Sequence, residues 1–356
     1  VSNRWPRSIR RWVWATALVV ALGLPESRGA SAGQFKSVTL SGTAYIDAAN
    51  FGVSFGLKSQ LSNSGRKLTL KSVWSTLVFE TDNRECEING LRVFLGDPVR
   101  SYKGTVRISR LDVEKVLIPL LLAGNDEKRI PTLKTIVLDP GHGGRDPGNV
   151  NQRLKINEKT IALDTALRLE RILKTMGYAV VMTRSNDSQL NSDKAADLLS
   201  RAAVANKAGA DLFISLHYNA VGSGAQRVTG VEVYTLTPHS QYSTSDSERD
   251  DDTGAVEINP GNISDHWNMQ LGYQIHRLMI EELRAPDRGL KRARWAVLRA
   301  VECPAILIEA GFLSNDTEGG KIATPAYRQK IAEAIANGVQ AYGNVLAGVH
   351  KQRDGK

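Results

Sequence analysis

Two histidines and two glutamates stand where the most apolar runs of the chain break into loops. His142 follows "TIVLDP" (135–140), and His217 ends "DLFISL" (211–216). Glu309 closes "PAILI" (304–308), and Glu158 opens a helix-period segment shortly after His142. Two imidazoles and a carboxylate are a common zinc set, and a spare carboxylate is what a zinc hydrolase needs to move a proton. A carboxylate after four apolar residues, as at Glu309, faces a desolvation cost unless it is paired or hydrogen-bonded, either by backbone N–H groups of "AGF" (310–312) or as a general base tuned by a nearby metal. Glycines flank His142 in "GHGG" (141–144), which lets the backbone turn sharply beside a ligand. The third ligand stays open at this level. Glu158 sits where the helix dipole alone favours an acid, and His239, just past a strand ending near Thr237, competes for the place.

These residues need a scaffold that brings them to one edge. From Thr135 onward the chain alternates strand, loop and helix, and the runs around the four residues are short and β-branched. Asn157 is the expected N-cap of a helix to Met176, stopped by Gly177, with Ile161, Leu169, Ile172, Leu173 and Met176 as its buried stripe. Strands are expected at 178–183, 211–217, 230–237, 295–299 and 305–309, and helices at 193–208, 264–283 and 326–346. This order predicts an α/β fold: a three-layer domain with a mainly parallel sheet flanked by helices, with the ligand site beyond the carboxyl ends of its strands. Ahead of it, residues 33–128 alternate as short strands with Gly and Asn turns and a helical stretch near 111–122. They predict a small β-rich domain with its own core. Residues 129–134 read as the linker and 135–348 as the catalytic domain. The polar segment Thr237–Asn262, containing "DSERDDD" (246–252), reads as a surface loop or a lid leaving a strand at the same carboxyl edge.

The first 32 residues carry arginines, then the apolar run Trp12–Leu24, then "ASAG" (30–33). That order predicts a secretory signal peptide over 1–32, with an apolar run too short to span a bilayer comfortably. Export to the periplasm or cell envelope follows, with no stable membrane span after cleavage. Removing the segment takes away five arginines and one glutamate and lowers the net charge from +9 to +5. A modestly basic exported protein suits anionic wall polymers. Nucleic acid is excluded as a partner because no basic stripe interleaved with aromatics is present. The two cysteines, Cys86 and Cys303, read as buried thiols.

Six motifs together resemble the zinc-dependent N-acetylmuramoyl-L-alanine amidases, the bacterial cell-wall enzymes that include the cell-division amidases. They are "LDPGHGGRDPGNV" (138–150), "NEK" (157–159), "MTR" (182–184), "LLSRAAVANKAGADLFISLHYNA" (198–220), "DRGLKRARWAVLR" (287–299) and "PAILIEAGFLSN" (304–315). The resemblance implies that His142, Glu158 and His217 bind one Zn²⁺ and that Glu309 is the catalytic glutamate. It implies peptidoglycan as substrate, cut at the amide between the lactyl group of N-acetylmuramic acid and L-alanine of the stem peptide. Asn219, Lys291 and Arg292 are candidate substrate contacts beside the site. The division amidases often carry a helical insert whose glutamate plugs the site until an activator protein moves it, and Thr237–Asn262 occupies a comparable place. Residues 88–117 faintly resemble a small domain found ahead of some wall hydrolases, which suggests wall targeting. Competing readings are a zinc peptidase acting within the stem peptide, a metal-free glycosidase using Glu158 and Glu309, and a non-catalytic peptidoglycan-binding protein.

Overall fold

Apolar runs that are buried on both faces, such as "IVLDP" at 136–140, can only be central strands covered by helices on each side. The computed structural model, which describes residues 32–124, 129–246 and 257–355, builds the fold around such strands. The expected signal peptide, apart from Ala32, lies outside the described residues, as do residues 247–256.

In chain order the β-rich region holds β1 (Ser37–Leu40), β2 (Thr43–Asp47), α1 (Ala48–Ser54), β3 (Lys58–Ser62), β4 (Lys67–Lys71), β5 (Thr76–Glu80), β6 (Glu85–Ile88), β7 (Leu91–Phe94), β8 (Arg100–Tyr102) and β9 (Thr105–Ser109). A helical stretch follows as α2 (Arg110–Asp112), a π-turn over Val113–Leu117 and α3 (Ile118–Leu121). The second region starts with β10 (Thr135–Pro140), β11 (Val150–Asn151), β12 (Ile156–Asn157), α4 (Glu158–Thr175), β13 (Ala179–Met182), α5 (Lys194–Lys207) and β14 (Leu212–Asn219). It continues with β15 (Val231–Leu236), α6 (Asp265–Leu283), β16 (Asp287–Ala293), α7 (Ala296–Ala300), β17 (Ala305–Phe312), α8 (Asp316–Ile322) and α9 (Pro325–Asp354). Asn157 caps α4 as expected, its side chain accepting from the Thr160 N–H, and Ile161, Leu169 and Leu173 are buried along one face. Among the described residues, no helix is long and apolar enough to cross a membrane.

The sheet corrects the expected topology. Its order is β13-β10-β14-β17-β15-β16-β7-β6-β5-β4-β3, eleven strands in one continuous surface. The pairs β10–β13, β10–β14, β14–β17 and β15–β16 are parallel, whereas β15 runs antiparallel to β17 and β3 to β7 form an antiparallel meander. The sheet is therefore mixed rather than mainly parallel. The connection from β14 to β15 contains only a 3-10 turn, Ala225–Arg227, and lacks the covering helix that a parallel crossover uses. The chain turns back at the same sheet edge instead.

Two further expectations change. Residues 295–299 are not a strand: β16 comes earlier, and Val297, Leu298 and Val301 are buried at helical spacing behind the Trp295 N-cap. Short apolar runs carry too little periodicity to separate the two. The two regions also do not have separate cores. β7 pairs with β16 at Val93↔Leu290, and one apolar cluster runs from Phe51, Leu77 and Val116 to Tyr273, Ile308 and Val339. Pairing these strands removes two exposed sheet edges that would otherwise attract other chains. Cys86 and Cys303 are buried free thiols.

Candidate active site

The carboxyl ends of β10, β13 and β14 are locked by one acid. Asp139, 1 % exposed, accepts hydrogen bonds from Thr183 Oγ1 at 2.6 Å, Ser215 Oγ at 2.8 Å and Arg201 Nη1 at 2.9 Å. Burial alone would raise its pKa, but the Arg201 charge and the two hydroxyls outweigh it and hold the carboxyl below its usual range. Two buried arginines then tie down the loop that follows. Arg184 donates to the carbonyls of Pro140, Gly141 and Lys159, and Arg201 donates to those of Pro140 and His142. With its carbonyls captured, the loop can hold His142 at φ +61, a conformation uncommon for a residue with a side chain.

That backbone aims His142 at the start of α4. Its Nδ1 lies 2.9 Å from Asp146 Oδ2, and its Nε2 lies 3.1 Å from Glu158 Oε2. A carboxylate can only accept, so Asp146 orients the ring and leaves Nε2 facing the cluster. Glu158, 1 % exposed, also accepts from the Asn149 N–H at 2.8 Å and the Tyr218 N–H at 3.0 Å, and its Oε1 lies 2.9 Å from His217 Nδ1. Burial pushes the Glu158 carboxyl up, but hydrogen bonds and charge from His142 and His217 overcome this and carry it well below the usual range. His142 is shifted up, since the Glu158 and Asp146 carboxylates outweigh its burial.

One ligand atom from each of His142, Glu158 and His217 falls within 4.8 Å of the others. Two imidazole nitrogens and a carboxylate oxygen, with an acid on the far nitrogen of one ring, fit zinc well. The space is kept by missing side chains. A Cβ on Gly141 would stand 2.2 Å from His217 Cε1, and one on Gly148 would stand 2.6 Å from both Glu158 Oε2 and His142 Cδ2.

Glu309 is the Cα partner of His217 across β14 and β17. Its Oε2 is buried and has no hydrogen-bond partner among the described residues. Burial, then the Glu158 and Glu232 charges, push its carboxyl well above the usual range, against the opposing pull of Lys291. A proton-hungry carboxylate therefore stands beside the three-residue cluster.

Residues 136–341, more than half of the chain, match the Amidase_3 family, described as N-acetylmuramoyl-L-alanine amidase. The chain belongs to that family. It is accordingly an amide hydrolase. It is 32% identical over 228 residues to the N-acetylmuramoyl-L-alanine amidase AmiA of Escherichia coli, covering 59% of this chain and 76% of that one. An uncharacterized cell wall amidase of Bacillus anthracis is 30% identical over 210 residues, but this amidase spans only 35% of that longer protein. The crystal structure of an N-acetylmuramoyl-L-alanine amidase from Clostridium difficile 630 is 29% identical, covering 59% of this chain and 96% of that one, with a TM-score of 0.47.

The other residues singled out in the amidase sequence fall out differently. Asn219 lies at the end of β14 with its amide 3.0 Å from Glu232 Oε2, and Lys291 Nζ lies 2.8 Å from Glu232 Oε1. Both border the site. Arg292 does not: it is 1 % exposed, its guanidinium on Gln241, Asp112 and the Phe94 carbonyl. Successive residues of a strand point to opposite faces, so β16 cannot offer Lys291 and Arg292 to one site.

His239, the rival ligand, is half-buried beyond the carboxyl end of β15, which the antiparallel pairing places at the opposite sheet edge. The same reversal corrects the lid expectation. Thr237–Asp246 and Glu257–Asn262 lie at that far edge, where Thr244 N donates to the Arg292 carbonyl. Arg84 of the β-rich region donates to the carbonyls of Tyr242, Ser243 and Asp246. Sequence reasoning passed over Glu232, Arg184 and Arg201. Arg184 and Arg201 lay inside two of the six motifs and Glu232 inside the expected strand 230–237, and the available signal was a charged residue within or at the end of an apolar stretch.

Proposed function

We propose that the protein is a zinc-dependent amidase that cuts peptidoglycan between the lactyl group of N-acetylmuramic acid and L-alanine of the stem peptide. His142, Glu158 and His217 would hold one Zn²⁺, and Glu309 would be the catalytic carboxylate. The observation that carries this reading is the buried, unpartnered Glu309 Oε2 in register with His217. When bound, zinc supplies Lewis acidity toward the amide carbonyl and toward water.

The protein's own groups do the rest. Glu309 Oε2, buried and without another hydrogen-bond partner among the described residues, takes the proton from the attacking water. It then passes the proton to the amide nitrogen as the carbon–nitrogen bond breaks, so that L-alanine leaves as an amine. Asp146 keeps the His142 ring oriented throughout. A glycosidase pair finds no support, since both oxygens of Glu158 are already engaged by His142, His217 and two backbone N–H groups. The reading extends to action outside the cytoplasm, where the wall polymer is. Glu309→Gln tests it: we expect muropeptide release to fall by about a thousandfold or more while metal content is kept, and near-normal turnover would refute it.

A further inference from the structure

We infer that Glu232 is a positioning residue for this hydrolysis: it holds the Lys291 ammonium away from Glu309, leaving Oε2 of the catalytic carboxylate free to take a proton. The inference rests on the reading of Glu309 given above. Glu232 and Glu309 are Cα partners on adjacent antiparallel strands. Like charges placed directly opposite one another are destabilising unless something intervenes. Here four donors do, and all of them go to Glu232. Arg288 Nε and Lys291 Nζ each lie 2.8 Å from Oε1, while Tyr234 Oη at 2.7 Å and Asn219 Nδ2 at 3.0 Å serve Oε2. Both oxygens of Glu232 are therefore filled, whereas Oε2 of its neighbour Glu309 receives nothing among the described residues.

The cations are also braced on the Glu232 side. Arg288 lies over the Phe312 ring at 5.0 Å, and Lys291 sits 5.6 Å and 5.8 Å from the Phe94 and Tyr234 ring centroids. The side chain of Lys291 is only 14% exposed, so water cannot replace a lost acid partner. Take the charge from Glu232, and the Lys291 ammonium, whose charge already acts on the Glu309 carboxyl, is left to pair with it. An ion pair there would occupy the oxygen that must accept the proton.

The test is kinetic and structural, on the zinc-loaded full chain. Glu232→Gln should lower kcat by about 30-fold with KM changed less than about twofold, the pattern of a loss felt in the chemical step. Adding Lys291→Met should then restore about tenfold of that loss, since the intruding cation is gone. Glu232→Asp, which keeps the charge, should stay within about fivefold of the parent and carries the test should the Gln variant not fold. A crystal structure of E232Q should show the Lys291 ammonium within about 4 Å of the Glu309 carboxylate. A double variant as slow as E232Q, an Asp variant as slow as the Gln variant, or an ammonium still held at residue 232 would each overturn the inference. Full activity in Glu309→Gln would instead remove the catalytic reading on which it stands.

Discussion

Gly141→Ala isolates the cluster geometry from the rest of the fold. The added Cβ would stand 2.2 Å from His217 Cε1 and 2.5 Å from both ring nitrogens. An ordinary contact between such atoms is about 3.5 Å, so the ring or the loop must yield by about 1.3 Å. The loop has little freedom, because the Gly141 N–H donates to the Leu216 carbonyl at 2.9 Å and its own carbonyl accepts from Arg184 at 2.7 Å. Gly141 does not need a positive φ, so backbone strain should add little. The displacement should therefore fall on His217. Misplacing a reacting or ligating group by about 1 Å can cost about a hundredfold in rate, and a disturbed ligand shell costs about 10- to 100-fold in metal affinity. Zinc affinity by chelator competition, muropeptide release and thermal melting of the apoprotein should be measured together. We expect weaker zinc binding and slower release with only a small change in melting. A variant that binds zinc as tightly as the parent would show that His217 is not held in the cluster as described.

Three other outcomes follow from the same geometry. Arg201→Met removes the partner of the fully buried Asp139 carboxylate, and should cost about 3–5 kcal/mol in urea melts; a loss below about 1 kcal/mol would contradict the buried pair. Burial, then the Asp112 charge, raise the Asp97 carboxyl from 3.8 to about 6, so the folded state holds this proton more tightly than the unfolded state. Its stabilisation is full below about pH 4 and is lost as pH rises through about 6, a difference of at most about 3 kcal/mol. Asp97→Asn should therefore stabilise the protein at pH 7.5 and not at pH 4, and equal effects at both would refute the assignment. Deleting residues 247–256 should leave basal hydrolysis unchanged, because their flanks lie at the sheet edge away from Glu309; a rise would revive the plug.

The places of His142, His217 and Glu309 were legible in the sequence because a polar group at the end of a buried run has few structural excuses, whereas Glu158, at a helix start, was chosen over His239 only through the resemblance. Asn157, the α4 stripe and most strands were legible for a similar reason, since caps and periodicity are local signals. Strand direction was not. The residue pattern of "GVEVYTLT" marks a strand, buried at nearly every position, and it fits a parallel or an antiparallel neighbour alike. That single reversal moved Thr237–Asp246, His239 among them, and Glu257–Asn262 to the far edge. It also brought Glu232 beside Glu309. Glu232 escaped notice because its partners Asn219, Arg288 and Lys291 come from two other strands. Arg292 was misplaced for a simpler reason: a basic run was read as one patch, although a strand sends alternate residues to opposite faces.

The central claim is the bond that is cut and the metal that cutting requires. Purified peptidoglycan should be digested with the full chain as prepared, after chelation, and after zinc is restored, with products identified by mass spectrometry. Stem peptides with a free amino-terminal L-alanine and intact glycan should be released only when metal is present. New reducing sugar ends, shortened stems still attached to muramic acid, or release that survives chelation would contradict it.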